Sequence, residues 1–288
     1  METGRFIDVE GARLWAIIQG AGRPVVLCHG GPGLWDDQAA VAAMIDDLHT
    51  TIRYDQRGGG RSDNTGPYSV ESAADDLDAI RRAFGFESWT VYGHSWGVSL
   101  AIAYAYKYAI SLDAVILVGG VGIEAGWQSE YHKTKADRLT SEEQSRLSDL
   151  TQMKSFAPEQ FLSLQDEYLD LSWKTDFASP RVGARLVREL PRQYDVNYEV
   201  NASLNESWKE FISRSDLRSS LREILCPVLV VHGTLDPHPV WAAHRTAELF
   251  PRGQLHLLDG VGHLPWLEAP DKYRQALRSF LSNVGDEL

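Results

Sequence analysis

The sequence predicts an α/β protein: a mostly parallel central sheet with helices on both faces, interrupted by an all-helical insertion. Three observations carry this prediction. Short apolar runs alternate with helix-period segments from Pro24 to Val118 and again from Pro227 to Leu281, the pattern of strand–helix–strand crossovers in a parallel sheet. The run Pro24-Val25-Val26-Leu27-Cys28 has no polar alternation, as expected of a strand buried on both faces. Between Ile123 and about Leu217 the alternation stops and only helical patterns remain.

The elements follow in order. Phe6 to Ile18 reads as two strands joined by a tight turn at Glu10-Gly11. The strand Pro24–Cys28 ends in His29-Gly30-Gly31-Pro32-Gly33, too rich in glycine and proline to be helix or strand. Helical spacing from Asp36 to Leu48 leads to a strand at Thr50–Tyr54, which ends in Asp55-Gln56-Arg57-Gly58-Gly59-Gly60-Arg61-Ser62. A helix over Val70–Phe84, a strand at Trp89–Tyr92 and a strand at Leu112–Val118 follow. In the insertion, Thr140-Ser141-Glu142-Glu143 is a capping box that opens one helix. Pro158 opens another, expected to run to about Leu171. Alternation resumes with a strand at Pro227–His232, a helix at Val240–Phe250, a strand at Gln254–Leu258 and a helix at Pro270–Leu281. The expected organisation is a core of residues 1–122 and 216–288, with residues 123–215 forming a helical cap over the strand ends.

Composition bounds the function. The 288 residues are 43% hydrophobic and 24% charged, as in ordinary globular proteins. A net charge of −12 argues against nucleic acid or an anionic membrane surface as partner. No stretch approaches the ~18 apolar residues of a membrane span, and Met1-Glu2-Thr3-Gly4-Arg5 shows no signal-peptide pattern. Cys28 and Cys226 read as buried free thiols, which fits a cytoplasmic location.

The chemistry centres on Gly93-His94-Ser95-Trp96-Gly97, placed between a strand and the small-residue helix pattern that starts at Val98. So sharp a turn forces Ser95 into a strained conformation, and the flanking glycines remove side chains that would clash. The hydroxyl then stands at a helix N-terminus, where negative charge is favoured. An activated serine needs a base, and the base an orienting acid. Asp236 ends the loop after one late strand, and His263 ends the glycine-rich loop after the next. Serine, aspartate, histidine, each past a strand's C-terminal end, is the order of the α/β-hydrolase fold. His29, His94, His232, His238, His244 and His256 compete as base, but none combines the loop type with the downstream position. The oxyanion donors expected are the backbone N–H groups of Trp96 and Gly31, since Pro32 has none. Asp236-x-His238 near His232 matches no standard metal-ligand spacing, and no Lys-Ser or Lys-Thr follows Gly58–Gly60 as a phosphate loop requires. No metal is therefore expected.

The stretches His-Gly-Gly-Pro-Gly at 29–33, Asp-Gln-Arg-Gly-Gly-Gly-Arg-Ser at 55–62 and Gly-x-Ser-Trp-Gly at 93–97 resemble the three N-terminal signatures of the prolyl aminopeptidase (proline iminopeptidase) family. The resemblance implies a cofactor-free enzyme that releases an N-terminal residue from a short peptide or amide. It also implies Ser95 as nucleophile, Asp236 as acid, His263 as base, and Gly31 and Trp96 as oxyanion donors. Cap acids in that family read the substrate's free amine, and the segment Tyr198–Glu206 resembles the one carrying them, which makes Glu206 the transferable position. Two departures stand out: Pro237 follows Asp236 where relatives can carry a second glutamate, and His94 replaces a glycine.

The expected activity is acyl transfer through an acyl-enzyme, on a small-molecule or short-peptide substrate. A carboxylesterase or lactonase acting on a neutral small molecule is the alternative. A non-catalytic small-molecule receptor on the same frame is a third. Epoxide hydrolase and dehalogenase chemistry would need a carboxylate at the elbow.

Overall fold

The structure is a computed structural model that describes residues 3–190 and 192–287; Met1 and Glu2 of the N-terminal reading lie outside them. Strands β1 (Thr3–Val9) and β2 (Ala12–Gly20) form the expected hairpin, with Gly11 in the left-handed region at φ 72°. The chain continues through β3 (Arg23–Cys28), α1 (Ala39–Ala42), β4 (His49–Tyr54), α2 (Val70–Ala83), β5 (Trp89–His94), α3 (Trp96–Tyr108) and β6 (Leu112–Val118). Helices α4 (Gln128–Asp137), α5 (Ser141–Phe156), α6 (Pro158–Leu162), α7 (Gln165–Trp173), α8 (Pro180–Leu186), α9 (Tyr198–Ile212) and α10 (Leu217–Leu221) come next. The chain closes with β7 (Val228–Gly233), α11 (Val240–Ala247), β8 (Gly253–Leu258), α12 (Pro265–Glu268) and α13 (Pro270–Glu287).

One eight-stranded sheet runs in the order β1-β2-β4-β3-β5-β6-β7-β8. Pairing is antiparallel from β1 to β2 and from β2 to β4, and parallel from β4 through to β8. Every residue of β5 and β7 is buried, as a strand covered on both faces must be. Alternate side chains feed two cores. Val26, Val91 and Val230 face one core with α2, α3 and α9; Val25, Tyr92 and Val231 face the other with α13. No helix among the described residues is long and apolar enough to cross a membrane.

Two elements differ from expectation. The helix predicted from Asp36 to Leu48 shrinks to α1, followed by turns closed by bonds such as Met44 N–H to Val41 O and Leu48 N–H to Ile45 O. Its intended first turn is committed elsewhere: the Asp36 N–H donates to Asp55, and the Asp36 carboxylate pairs with Arg53. The helix predicted from Pro158 breaks at Ser163-Leu164, where the Ser163 hydroxyl donates to the Gln160 carbonyl and buried Gln165 bonds Val196 and Asp195. The capping box at Thr140 and Glu143 forms as predicted.

Candidate active site

The turn between β5 and α3 is built by steric exclusion. A Cβ on Gly93 would lie 2.1 Å from the Gly97 carbonyl oxygen, and one on Gly97 would lie 2.2 Å from that of Cys28. Only glycine lets strand, turn and helix approach this closely. Ser95 bears the resulting strain at φ 55°, ψ −116°, the only non-glycine positive φ among the described residues. Trp96 is the first residue of α3, so its N–H has no intrahelical acceptor and faces the same end of the helix as the serine.

The three N-terminal signatures form one hydrogen-bonded unit, joined by Gln56. Its N–H donates to His29 Nε2 at 3.2 Å, its side-chain amide donates to the His29 carbonyl at 2.9 Å, and its Oε1 accepts the Trp96 indole N–H at 3.2 Å. The His29 ring donates through Nδ1 to the Gly30 carbonyl. Around this unit, Arg57 grips Asp76 through two bonds of 2.8 and 2.6 Å, and Asp55 takes the Arg61 side chain at 2.6 Å. The loop is thereby fixed with Gly31, at φ 50°, on the wall of the cavity that contains Ser95.

Asp236 and His263 meet beyond the ends of β7 and β8. His263 Nδ1 donates to Asp236 Oδ2 at 2.8 Å, and both residues are buried. Burial alone would push the Asp236 carboxyl up. The charges of His263 and His232 and the bonds from His238 and His263 outweigh it and hold the acid well below the usual carboxylate range. For His263 burial opposes protonation, but the charge and hydrogen bond of Asp236 win and raise it above the ordinary imidazole value.

The His263 backbone is held from two sides. Its N–H donates to the Asp176 carbonyl at 2.8 Å, and its carbonyl accepts His94 Nε2–H at 3.0 Å. Glu268 adds a staple by accepting the N–H groups of Gly262 and Ala178, at 3.0 and 2.8 Å. Gly119, at φ 64°, passes over the pair; a Cβ there would lie 3.0 Å from His263 Nδ1 and 3.3 Å from Asp236 Oδ2. His94 has its Nδ1 buried without a hydrogen-bond partner among the described residues, and burial followed by the nearby His263 holds it well below the ordinary imidazole range.

Ser95 and His263 line one cavity of about 250 Å³, and the Ser95 hydroxyl forms no hydrogen bond among the described residues. Apolar walls come from Leu34, Trp35, Trp173, Leu190 and Leu264; polar groups come from Asp37, Lys135, Asp176 and His238. Lys135 is neutralised by Asp176 at 2.7 Å.

The structure thus brings Ser95, Asp236, His263 and Gly31 to one place, with Trp96 adjoining. Glu206 is not among them. Its side chain is 66% exposed and pairs with Lys209 at 2.8 Å. The start of α9 instead meets the glycine loop: the backbone N–H of its N-cap, Asn197, donates to the Gly33 carbonyl, and the Asn201 side-chain amide donates to that of Pro32. His238, which the sequence marks only as a rival base and a possible metal ligand, is instead a partner of Asp236. Both its backbone N–H and its Nδ1 approach Asp236 Oδ1, at 2.8 and 3.0 Å, and its ring lies 5.0 Å from that of His263. Asp236, His238 and His263 together bring possible ligand atoms within 4.8 Å. Both imidazoles, however, already direct Nδ1 at the carboxylate. Asp37, Lys135, Asp176 and Gly119 carried no visible motif, and only the folded chain assembles them.

Comparison with known proteins agrees with this architecture. A family model described as the alpha/beta hydrolase fold matches residues 23–270. A proline iminopeptidase of Heyndrickxia coagulans is 25% identical over 293 aligned residues, covering 99% of this chain and 100% of that one. Among solved structures, a meta-cleavage product hydrolase variant superposes with a TM-score of 0.75 at 22% identity, covering 97% of this chain and 98% of that one. A thermophilic esterase from Thermogutta terrifontis superposes at 0.72 and 23%, covering 98% of this chain and 99% of that one. The two structural likenesses speak to the fold, the family model to descent. With that model spanning residues 23–270, most of the chain, the chain belongs to the alpha/beta hydrolase fold family and is a hydrolase.

Proposed function

We propose that the chain is a serine hydrolase working through Ser95, His263 and Asp236, and that its reaction is release of an N-terminal residue from a short peptide or aminoacyl amide. The observation that carries the mechanism is the 2.8 Å bond from His263 Nδ1 to Asp236 in a cavity shared with the strained Ser95. His263 takes the Ser95 proton as the hydroxyl attacks the carbonyl, while Asp236 stabilises the imidazolium. The N–H groups of Trp96 and Gly31 receive the oxyanion, each contributing about 3 kcal/mol to lowering the barrier. His263 then gives its proton to the leaving amine and activates the water that frees the acyl group. The helices between residues 123 and 215 act as a cap on a core of residues 1–122 and 216–288. No step of this mechanism uses a cofactor. The two free thiols fit a cytoplasmic site of action.

The aminopeptidase reading is supported by the full-length likeness to a proline iminopeptidase. A second reading, an esterase or lactonase for neutral substrates, is favoured by Pro237 after the acid and by the outward position of Glu206. Steady-state turnover of prolyl and alanyl arylamides, their N-acetylated forms and a neutral aryl ester separates the two. Turnover is expected to collapse on acetylation, and every substrate should stall in S95A, by about 10⁴-fold or more. Equal turnover of blocked and free amides would retire the aminopeptidase reading; an active S95A would retire the mechanism.

A further inference from the structure

Carboxylates buried around the Ser95 cavity are neutralised, with one exception. Asp36 pairs with Arg53, Asp55 with Arg61, Asp76 with Arg57, Asp176 with Lys135, and Asp236 with its two imidazoles. Glu268 takes two backbone N–H groups. Asp37 stands on the cavity wall with no lysine or arginine in ion-pair reach among the described residues; it accepts the neutral amide of Gln38 and its own backbone N–H, and the two imidazoles near it are bonded elsewhere, His29 to Gly30 and Gln56 and His263 to Asp236. A half-buried carboxylate without a counter-charge is costly, and a protein keeps one most readily where a ligand supplies the missing charge.

We propose that Asp37 is the substrate-recognition carboxylate of the cavity, and that it pairs with a protonated primary or secondary amine on the acyl part of the substrate. The inference rests on the aminopeptidase reading for the identity of that substrate, but not for the cation. Asp37 lies on the same loop as Gly31, the oxyanion donor, six residues further on. An α-amino group is two bonds from the carbonyl carbon, so a carbonyl held at Gly31 keeps its ammonium on this side of the cavity. Trp35 and Trp173 offer apolar walls for a small side chain or a pyrrolidine ring. Burial, the largest influence on the Asp37 carboxyl, raises it above its ordinary range; an arriving ammonium would relieve that cost. The other cavity acid, Asp176, is already engaged by Lys135.

The test has two parts. In D37N, an isosteric change that retains an acceptor for Gln38, kcat/KM for free prolyl and alanyl arylamides should fall at least about 30-fold more than kcat/KM for a neutral aryl ester, as expected when one partner of a desolvated charge pair is removed. Equal losses on both substrates, or none, would overturn the proposal. The second part uses ester hydrolysis by the unaltered enzyme, so it stands even where D37N folds poorly. Pyrrolidinium should inhibit competitively and at least about 10-fold more strongly than N-acetylpyrrolidine, since a charge pair of more than about 1.4 kcal/mol is lost in the neutral compound. Equal inhibition, or none by the cation, would overturn it. If acetylated amides turn over as well as free ones while pyrrolidinium still competes, the aminopeptidase reading falls and the cation site stands.

Discussion

His263 titrates under opposing forces, and with His263 as the proposed base the outcome should set the pH dependence of turnover. Asp236 raises its proton affinity above the ordinary imidazole value despite burial. A general base must be unprotonated to act, so kcat/KM should rise with pH along an acid limb whose midpoint lies above the ordinary value of about 6.5. D236N should move that midpoint down; a pH–rate profile with the unaltered enzyme at or below the ordinary value would refute the assignment. The linkage runs in two directions. Because the folded-state value of His263 is raised, its contribution to stability is full at low pH and is lost as pH rises through that value. Asp236 is depressed, so its contribution is present above the ordinary carboxylate range and is lost as pH falls through its low folded value. At this scale the sequence was informative where side chains sit at strand ends, as Ser95, Asp236 and His263 do. It was silent on Asp37, proposed above as the carboxylate that pairs with the substrate's amine, and its candidate Glu206 lies on the exposed side of α9 beside Lys209. Which face of α9 meets the core depends on Val200, Leu204 and Phe211 packing inward, and that packing leaves Glu206 facing water.

The strand–elbow–helix unit from Trp89 to Tyr108 is rigid because backbone touches backbone. A Cβ at Gly97 would lie 2.2 Å from the Cys28 carbonyl oxygen and 3.0 Å from that of His29, and neither can swing aside as a side chain would. G97A should therefore cost about 3 kcal/mol, the upper range for overpacking, and lower Tm by roughly 6–12 °C. Thermal unfolding followed by circular dichroism would check this; an unchanged Tm would mean the elbow has slack. Elements with strong periodicity or explicit caps were legible in advance, such as the buried strands and the Thr140 helix. The two misread helices share a cause. Polar side chains near their starts or middles, Asp36 in one and Ser163 and Gln165 in the other, bond partners that redirect the backbone. Local spacing does not encode those partners.

For the whole molecule, the two free cysteines yield a test of global integrity: Cys28 is buried as expected, whereas Cys226, just before β7, is only partly covered. Burial pushes the Cys28 thiol up to about 12 and Cys226 up to about 11, so at neutral pH both are protonated and poorly nucleophilic. Iodoacetamide should leave the folded enzyme unlabelled and active over minutes, then add two groups per chain in denaturant. Mass spectrometry showing rapid labelling of Cys28 before unfolding would contradict the packing beneath the elbow. The succession of strands and helices and the helical interruption were visible along the chain, because each crossover leaves its own apolar signature; the order of strands within the sheet was not. How the helical stretch between β6 and β7 meets the rest of the chain was not visible either, since its partners are set by distant residues and several, such as the Asp176 carbonyl, are backbone atoms that carry no sequence signal. One of these contacts has a practical consequence. His263, the proposed base, hangs by its amide from Asp176, a residue of the helical stretch between β6 and β7, and by its carbonyl from His94, the last residue of β5. Grafting a relative's insertion onto this frame would therefore do more than re-tailor specificity. Unless the donor segment returns a carbonyl to that one spot, the chimaera would inherit a new pocket and a misaligned histidine, so the insertion cannot be exchanged as an independent cartridge.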